Sequence, residues 1–505
     1  MLEAGSLWEL ITARADATPD ARMAVDERGE QLTFGAYRAR VERVAAGFAA
    51  RGLVPGDVVS WQLPSWLESM VLVGALSRLG VVQNPILPIY REREVGFIAR
   101  QARSKLLIVP SQFRGFGFEA MARGIAADVD GLEVLVADRV LPEGDPSTLP
   151  PTPADGDAVR WLFYTSGTTA DPKGAQHTDR TIMATARGMN QRLALTAGDR
   201  HSLVFPFTHI GGIIWLFSGL MTGLTNIVDE AFNPETTIPL LQRERVTLAG
   251  SGTFFHMAYL AAQRANPGTP LFPGVRAWPG GGAPKPRQLH HDIKSECGGA
   301  GIVSGYGLTE APILTMASPD DPDDALANTE GAAMPGVELK VITLEGKIAG
   351  VGEEGEIRAK APQTMKGYLD ARLDMEAFDE EGFFRTGDLG RIDADGFVTI
   401  TGRLKDIIIR KGENISAKEV EDLLFGHPNV ADVAVIGLPD EASGERACAV
   451  VVPKDGEPTL GDLTTFLIER GLRKQALPEQ LELLDALPRN PAGKILKQDL
   501  KKRFA

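Results

Sequence analysis

The stretch YTSGTTADPKG, residues 164–174, decides how this chain is read: it packs four Ser/Thr hydroxyls, two glycines and a Pro-Lys-Gly end into eleven residues. The apolar run VRWLFY at 159–164 leads into it and reads as a buried strand. A Ser/Thr/Gly run leaving a strand offers hydroxyls and open backbone N–H groups to an anion, and Lys173 adds a charge, so the segment points to phosphate. A plain polar loop is the bland alternative. The segment is not a Gly-x4-Gly-Lys-Ser/Thr loop, because Pro172 stands where that motif has its second glycine. Gly174 stands where it has the hydroxyl that holds magnesium.

Working outward, helix-period segments alternate with short apolar runs up to about residue 400. Residues 34–52 read as an amphipathic helix closed by Gly52, 57–63 as a strand, 65–80 as a helix stopped by Gly80, and 105–109 as a strand ended by Pro110. This rhythm predicts an α/β fold of mostly parallel sheets covered by helices. The Pro- and Asp-rich stretch 141–157 reads as a surface connection. From about 340 short strands and turns take over, with Asp395-Gly396 as a hairpin signal, which predicts a small β-rich subdomain. Ser416 followed by Glu419 has capping-box spacing for a helix, and two apolar strands and a helix near 460–470 complete a terminal unit of ordinary domain size. The expected division is 1–404 and 405–505.

Composition narrows the function. The 505 residues are 43% hydrophobic and 24% charged, enough for a large core in more than one domain. A net charge of −14 argues against nucleic acid as a partner, so any phosphate must be met by local cations. Cys297 and Cys448 stand outside any CxxC or Cys/His cluster, which excludes a disulfide framework or structural zinc site and fits a reducing cytoplasm. Residues 1–20 lack the apolar core of a signal peptide, and no apolar run reaches the ~20 residues of a membrane span. The expectation is a soluble cytoplasmic protein, with peripheral membrane contact left open and no oligomeric state specified.

Further motifs follow in order. PGGGAP at 279–284 reads as a glycine-rich turn after a strand, suited to a flat ring lying close to backbone. SGYGLTE at 304–310 joins an aromatic, two glycines, a hydroxyl and a carboxylate: Tyr306 can stack on a base and Glu310 can hold a hard cation through oxygen. A buried tyrosine with a surface glutamate is the alternative. Asp388 and Arg403 are an acid and a base able to meet ribose hydroxyls, or equally a surface ion pair. Lys494 lies in PRNPAGKI at 488–495, where a solvated lysine is the default.

Together these residues resemble the adenylate-forming enzymes, the superfamily of acyl-CoA synthetases, peptide-synthetase adenylation domains and firefly luciferase, over essentially the whole chain. The resemblance implies a large AMP-binding domain, a separate mobile α+β terminal domain hinged at Lys405, and the use of ATP, Mg²⁺ and coenzyme A. It implies that Thr165, Ser166, Gly167, Thr168, Thr169 and Lys173 embrace the β- and γ-phosphates, and that Gly281, Gly282, Ala283 and Pro284 sandwich adenine with Tyr306, flanked by Gly305 and Gly307. Asp388 and Arg403 would hold ribose, Thr309 and Glu310 would serve ATP and magnesium with Thr165 as a second metal residue, and Lys494 would bridge the acid and the α-phosphate. Lys411, Gly412, Glu413 and Asn414 would meet coenzyme A.

Two departures stand out: Ala170 replaces a glycine of the phosphate loop, and Gln475-Ala476-Leu477-Pro478 replaces Tyr-Lys-x-Pro, removing a cation expected near the CoA nucleotide. The acyl pocket is expected in VFPFTHIGGIIWLF at 204–217, with His209, Ile210, Gly211 and the later Phe254. His209 reads equally as a gate or as a packed core residue. An α-amino acid needs a buried carboxylate for its ammonium, and 202–217 holds no Asp. The chain ends eleven residues after Lys494, so no carrier domain is expected. The reading is therefore an AMP-forming ligase joining an apolar fatty, alicyclic or aromatic acid to CoA. The rivals are an amino-acid-type adenylation enzyme, a luciferase-like oxygenase and a non-enzymatic nucleotide-binding module.

Overall fold

The computed structural model describes every residue except 154, 166–171, 283–284, 411–412, 441 and 490–492. Its first sheet has six strands in the order Glu133–Val136, Leu106–Val109, Val58–Trp61, Val82–Pro85, Val159–Thr165 and Lys173–Thr178. The first five pair in parallel, and the last returns antiparallel. The parallel strands are short, apolar and separated by helices such as Phe34–Ala50 and Leu67–Leu79, the latter buried nearly all round and stopped where Gly80 turns left-handed. Fully buried Trp61 and Trp161 fill the space between this sheet and its helices. Trp161 Nε1 donates to Asp179 Oδ1 at 2.8 Å, so the indole is buried without an orphaned N–H.

A second sheet, Gln31–Thr33, Arg22–Asp26, Thr225–Val228 and Arg200–Leu203, is mixed. A third runs Trp278–Gly281, Ile302–Tyr306, Thr315–Met316 and Ala332–Ala333. A fourth, Glu338–Ile342, Gly355–Lys360, Phe384–Ile392 and Val398–Arg403, is wholly antiparallel, with Gly396 in the hairpin turn between its last two strands. The fold is α/β with a large N-terminal part and a smaller C-terminal one, and its sheets are mixed: the first two pair mainly in parallel, each with one antiparallel pair, and the fourth is antiparallel.

One local reading needs correction. The segment 279–284 is not simply a turn after a strand: Pro279, Gly280 and Gly281 are themselves in strand, in parallel register with Val303, Ser304 and Gly305. Pro279 is tolerated because its strand is the last in the sheet, where a missing N–H costs no ladder bond.

After Arg403 a single 3₁₀ turn, Leu404–Asp406, carries Lys405 and leads into Ile407–Arg410, the start of a separate terminal sheet. That sheet, Glu413–Ser416, Ile407–Arg410, Gly444–Pro453 and Val430–Asp440 with Gln480–Leu483 beside it, has its own core around Ile408, Val435, Val451, Leu463 and Leu467. Ser416 caps the helix Ala417–Leu424 by accepting from Glu419 N–H, and its hydroxyl reaches back to the Thr401 carbonyl at 2.7 Å. No helix among the described residues is long and apolar enough to cross a membrane.

Candidate active site

Thr165 ends one strand, Lys173 begins the next, and the two are register partners. Ser166, Gly167, Thr168 and Thr169 lie outside the described residues, as does Ala170. The far edge of the Lys173–Thr178 strand is bonded to residues 366–369, with Gln176 exchanging backbone hydrogen bonds with Lys366 and Gly367. This docking places Tyr368 beside the lysine, its ring centroid 5.5 Å from Lys173 Nζ. The Tyr368 hydroxyl donates to Glu310 Oε1 at 2.8 Å. Burial and the Glu310 carboxylate together push the Tyr368 phenol well up, so it stays a donor.

Thr309 and Glu310 sit on the bend after Ile302–Tyr306, a bend that glycine makes possible. A Cβ on Gly307 would collide with the Ile313 backbone nitrogen, so the chain can fold back only without one. The Thr309 carbonyl lies 2.9 Å from Nε2 of buried His177. Neither His177 nor Tyr368 was singled out by the sequence. Each is an isolated residue whose partner is far along the chain.

Asp388 and Arg403 are register partners on neighbouring antiparallel strands. Arg403 Nε lies 2.8 Å from Asp388 Oδ1, and the Tyr306 hydroxyl donates to Oδ2 at 2.8 Å. With Asp388 only 2% exposed, this is not a surface ion pair. Burial raises the Asp388 carboxyl against the opposing pull of Arg403, and the Tyr306 phenol is raised by burial and the Asp388 charge.

Lys494 comes from the terminal unit and stands in the field of this group. Its side chain reaches solvent, yet the protein packed around its ammonium and the neighbouring Arg403 and Lys405 charges lower it to about 8, against the pull of Asp388 and Asp406. Lys405, also solvent-exposed, is lowered by packing and by Arg403. The adjacent Gly493 touches the large unit: a Cβ there would lie 3.0 Å from Phe254 Cβ.

Phe254 is 42% exposed and belongs to an aromatic cluster with Phe232 and Phe255, at centroid distances of 5.8 and 5.4 Å. His209 caps the helix Ile210–Thr222, its Nδ1 accepting from Gly211 N–H at 3.1 Å, and its ring meets Phe205 edge-on at 6.3 Å. Burial lowers His209 to about 4, which keeps it neutral. Ile210 is buried beneath it. Glu413 and Asn414 are exposed on the first hairpin of the terminal sheet, where Arg473 pairs with Glu413 at 3.4 Å and bonds the Asn414 carbonyl. Lys411 and Gly412 lie outside the described residues.

Residues 11–369 match the AMP-binding enzyme family, and residues 419–494 match the AMP-binding enzyme C-terminal domain. The chain belongs to the AMP-binding enzyme family. This AMP-binding enzyme is 32% identical to a medium-chain fatty-acid–CoA ligase of Escherichia coli (strain K12), over 98% of this chain and 90% of the relative. It is 31% identical to a salicyl-AMP ligase / salicyl-S-ArCP synthetase of Mycobacterium tuberculosis (strain ATCC 25618 / H37Rv), over 97% and 89%. The structure of o-succinylbenzoate coenzyme A synthetase from Bacillus subtilis with ATP and magnesium ion superposes with a TM-score of 0.85 at 28% identity, covering 98% of this chain and 99% of that one.

The residues of this AMP-binding enzyme suit a hard divalent ion. Thr165 and Glu310 supply only oxygen, and they lie on segments joined through the Lys173–Thr178 strand and the Tyr368–Glu310 bond. Mg²⁺, were it held there by Thr165 and Glu310, would supply positive charge to the phosphates of ATP. His290, His291 and Asp323 also bring ligand atoms within 4.8 Å of one another, beside a surface hollow of about 450 Å³. Those donors are already engaged: Lys294 Nζ is 2.6 Å from Asp323 Oδ1, and His290 Nδ1 takes the Ile302 N–H.

Proposed function

We propose that this chain is an AMP-forming acid–CoA ligase acting on an apolar fatty, alicyclic or aromatic acid. The observation that carries the reading is the placement of Lys494, from the terminal unit, within the field of Asp388 and Arg403 on the large one. A carboxylate acylates poorly because its oxygen leaves badly and its charge repels nucleophiles. In the first half-reaction a carboxylate oxygen attacks the α-phosphorus of ATP, the bond to the bridging oxygen breaks, and pyrophosphate departs. Lys494 meets the crowded negative charge between acid and α-phosphate, and Lys173 holds the leaving phosphates. One preorganised charge of this kind contributes about 10²–10³ in rate. Asp388 and Arg403 hold the ribose, while Tyr306 and the segment 281–284 enclose adenine.

In the second half-reaction a thiol sulfur attacks the acyl carbonyl, AMP leaves with the bonding pair, and the thiol proton passes to solvent. No side-chain nucleophile is needed. Coenzyme A must approach the carbonyl that Lys494 faces, so we assign units 1–404 and 405–505 that rotate about Lys405. Rotation brings Lys411, Gly412, Glu413 and Asn414 to the thiol's path.

The apolar acid is supported by the Phe232, Phe254 and Phe255 cluster and by the apolar 204–217 segment. A second reading, an aromatic acid passed to a carrier-protein thiol, is favoured by the salicyl-AMP relative. Incubation with ATP, Mg²⁺ and a panel of fatty, alicyclic, aromatic and amino acids, with and without CoA, tests both. Acyl-CoA and AMP with an apolar acid support the ligase. Acyl-adenylate that ignores CoA supports the carrier reading, and no pyrophosphate release with any acid ends both.

A further inference from the structure

The backbone on either side of Lys494 is fastened from within its own unit. Arg489 and Ile495 pair as an antiparallel bridge, and Leu496 N–H donates to the Pro488 carbonyl at 2.8 Å. Across this closure Arg489 makes two charge-assisted contacts. Its Nη1 donates to the Gly493 carbonyl at 2.6 Å, and its Nη2 pairs with Asp432 Oδ2 at 2.6 Å. Asp432 lies on Val430–Asp440, the outer strand of the terminal sheet, paired along its length with Gly444–Pro453. Both partners of the ion pair are largely buried, with 17% and 18% side-chain exposure, so the contact is not a loose surface pair.

The Gly493 carbonyl belongs to the peptide unit whose nitrogen is that of Lys494. Holding that oxygen fixes the plane from which the Lys494 side chain departs. The preceding backbone also needs holding, because Gly493 has φ 82°, a turn that glycine enters freely and leaves as freely. Downstream, Lys497 Nζ pairs with Glu421 Oε1 at 2.7 Å, so the chain is anchored on both sides of the lysine. We infer that Arg489 is a positioning residue for the first half-reaction: it ties the peptide before Lys494 to Asp432, so that the lysine arrives already aimed when the unit closes. Arg489 touches no substrate in this role. A fork is required, since one group must reach a carbonyl and a carboxylate at once, which a lysine cannot do with the same geometry.

The inference rests on the ligase reading above, and its test separates the two. Arg489→Met should lower kcat for acid-dependent ATP–pyrophosphate exchange by about 10- to 100-fold, the cost of misplacing a reacting group by about 1 Å. The KM for ATP should stay within about threefold, and so should conversion of preformed acyl-adenylate to acyl-CoA, which does not use Lys494. Arg489→Lys should fall between wild type and Arg489→Met. Asp432→Asn should show a smaller loss with the same split, and it serves in place of Arg489→Met should that variant fail to fold. Parallel loss of both half-reactions, or exchange within threefold of wild type, overturns the inference.

A second readout needs no turnover. Isotope-labelled reductive methylation followed by NMR should show the Lys494 resonance titrating near 8 in wild type, and moving toward the ordinary lysine value of about 10.4 in the variant. An unmoved titration overturns the inference. Wild-type protein that exchanges pyrophosphate with no acid counts against the ligase reading, and the titration then decides the role of Arg489 by itself.

Discussion

Nε2 of His177 lies 2.9 Å from the carbonyl oxygen of Thr309, joining the strand Lys173–Thr178 to the bend that carries Glu310. A carbonyl only accepts, so Nε2 carries the ring proton and Nδ1, 3.0 Å from Thr181 Oγ1, is the acceptor. Burial lowers this imidazole to about 4 and holds it neutral. His177→Ala leaves the Thr309 carbonyl without its partner, at a cost of about 1–3 kcal/mol in stability. Pyrophosphate exchange should fall further than the loss of folded protein explains, because Thr309 and Glu310 lose their support. Denaturant midpoints and exchange rates on the same preparation check this, and unchanged exchange per folded molecule would remove His177 from the site.

In the proposed reaction Lys494 should set the alkaline limb of adenylation. Its ammonium titrates near 8, so it is charged below that pH and loses its charge as pH rises through it. The first half-reaction should be full near pH 7 and decline above 8, whereas Lys494→Arg, always charged, should not decline there. Lys494→Ala should lose exchange while still turning preformed acyl-adenylate into thioester. Exchange near the wild-type rate in that variant would refute the assignment.

If Lys405 is the proposed hinge, it should separate the half-reactions by geometry. Proline at this position fixes φ near −65° in the 3₁₀ turn between the two sheets. Lys405→Pro should impair thioester formation at least tenfold more than adenylation, because only the former requires the turn to rotate. Equal losses, measured by exchange and by acyl-CoA release, would count against a hinge here.

Three of the fully buried imidazoles, His177, His201 and His256, predict acid lability. Burial lowers His177 to about 4 and His201 and His256 to about 3, against about 6.5 unfolded. The folded state therefore refuses protons that the unfolded state accepts. Stability is complete above pH 6.5 and erodes as pH falls toward 4, each histidine adding about 1.4 kcal/mol per pH unit to the slope. Thermal unfolding from pH 7.5 to 5 should show a steep fall in Tm. A flat profile would mean that these rings bind protons without unfolding.

What could be read along the chain was what depends on near neighbours. The hydroxyl–glycine run at 164–174, the Gly-Tyr-Gly of 305–307 and the lysine of 488–495 could be picked out because each lies in a short motif of glycines, hydroxyls or prolines side by side. The helices Phe34–Ala50 and Leu67–Leu79 were equally legible from their periodicity and closing glycines. The antiparallel sheets after 340 were clear as strands but not in their order, since register is set by partners far off in sequence.

The residues that escaped notice are those whose meaning is a single distant contact. Tyr368 is an ordinary aromatic until it reaches Glu310, 58 positions away, and His177 an ordinary core histidine until it meets Thr309, 132 away. Arg489 could be any surface arginine until Asp432 and Gly493 are found in its fork. Amino-acid order by itself determined the family and the chemical inventory, because both are written in short spacings that local backbone geometry enforces. Tertiary structure alone decided which charges share a site and what holds them in aim. Those distances arise only once separate sheets have packed, and no local pattern encodes the meeting.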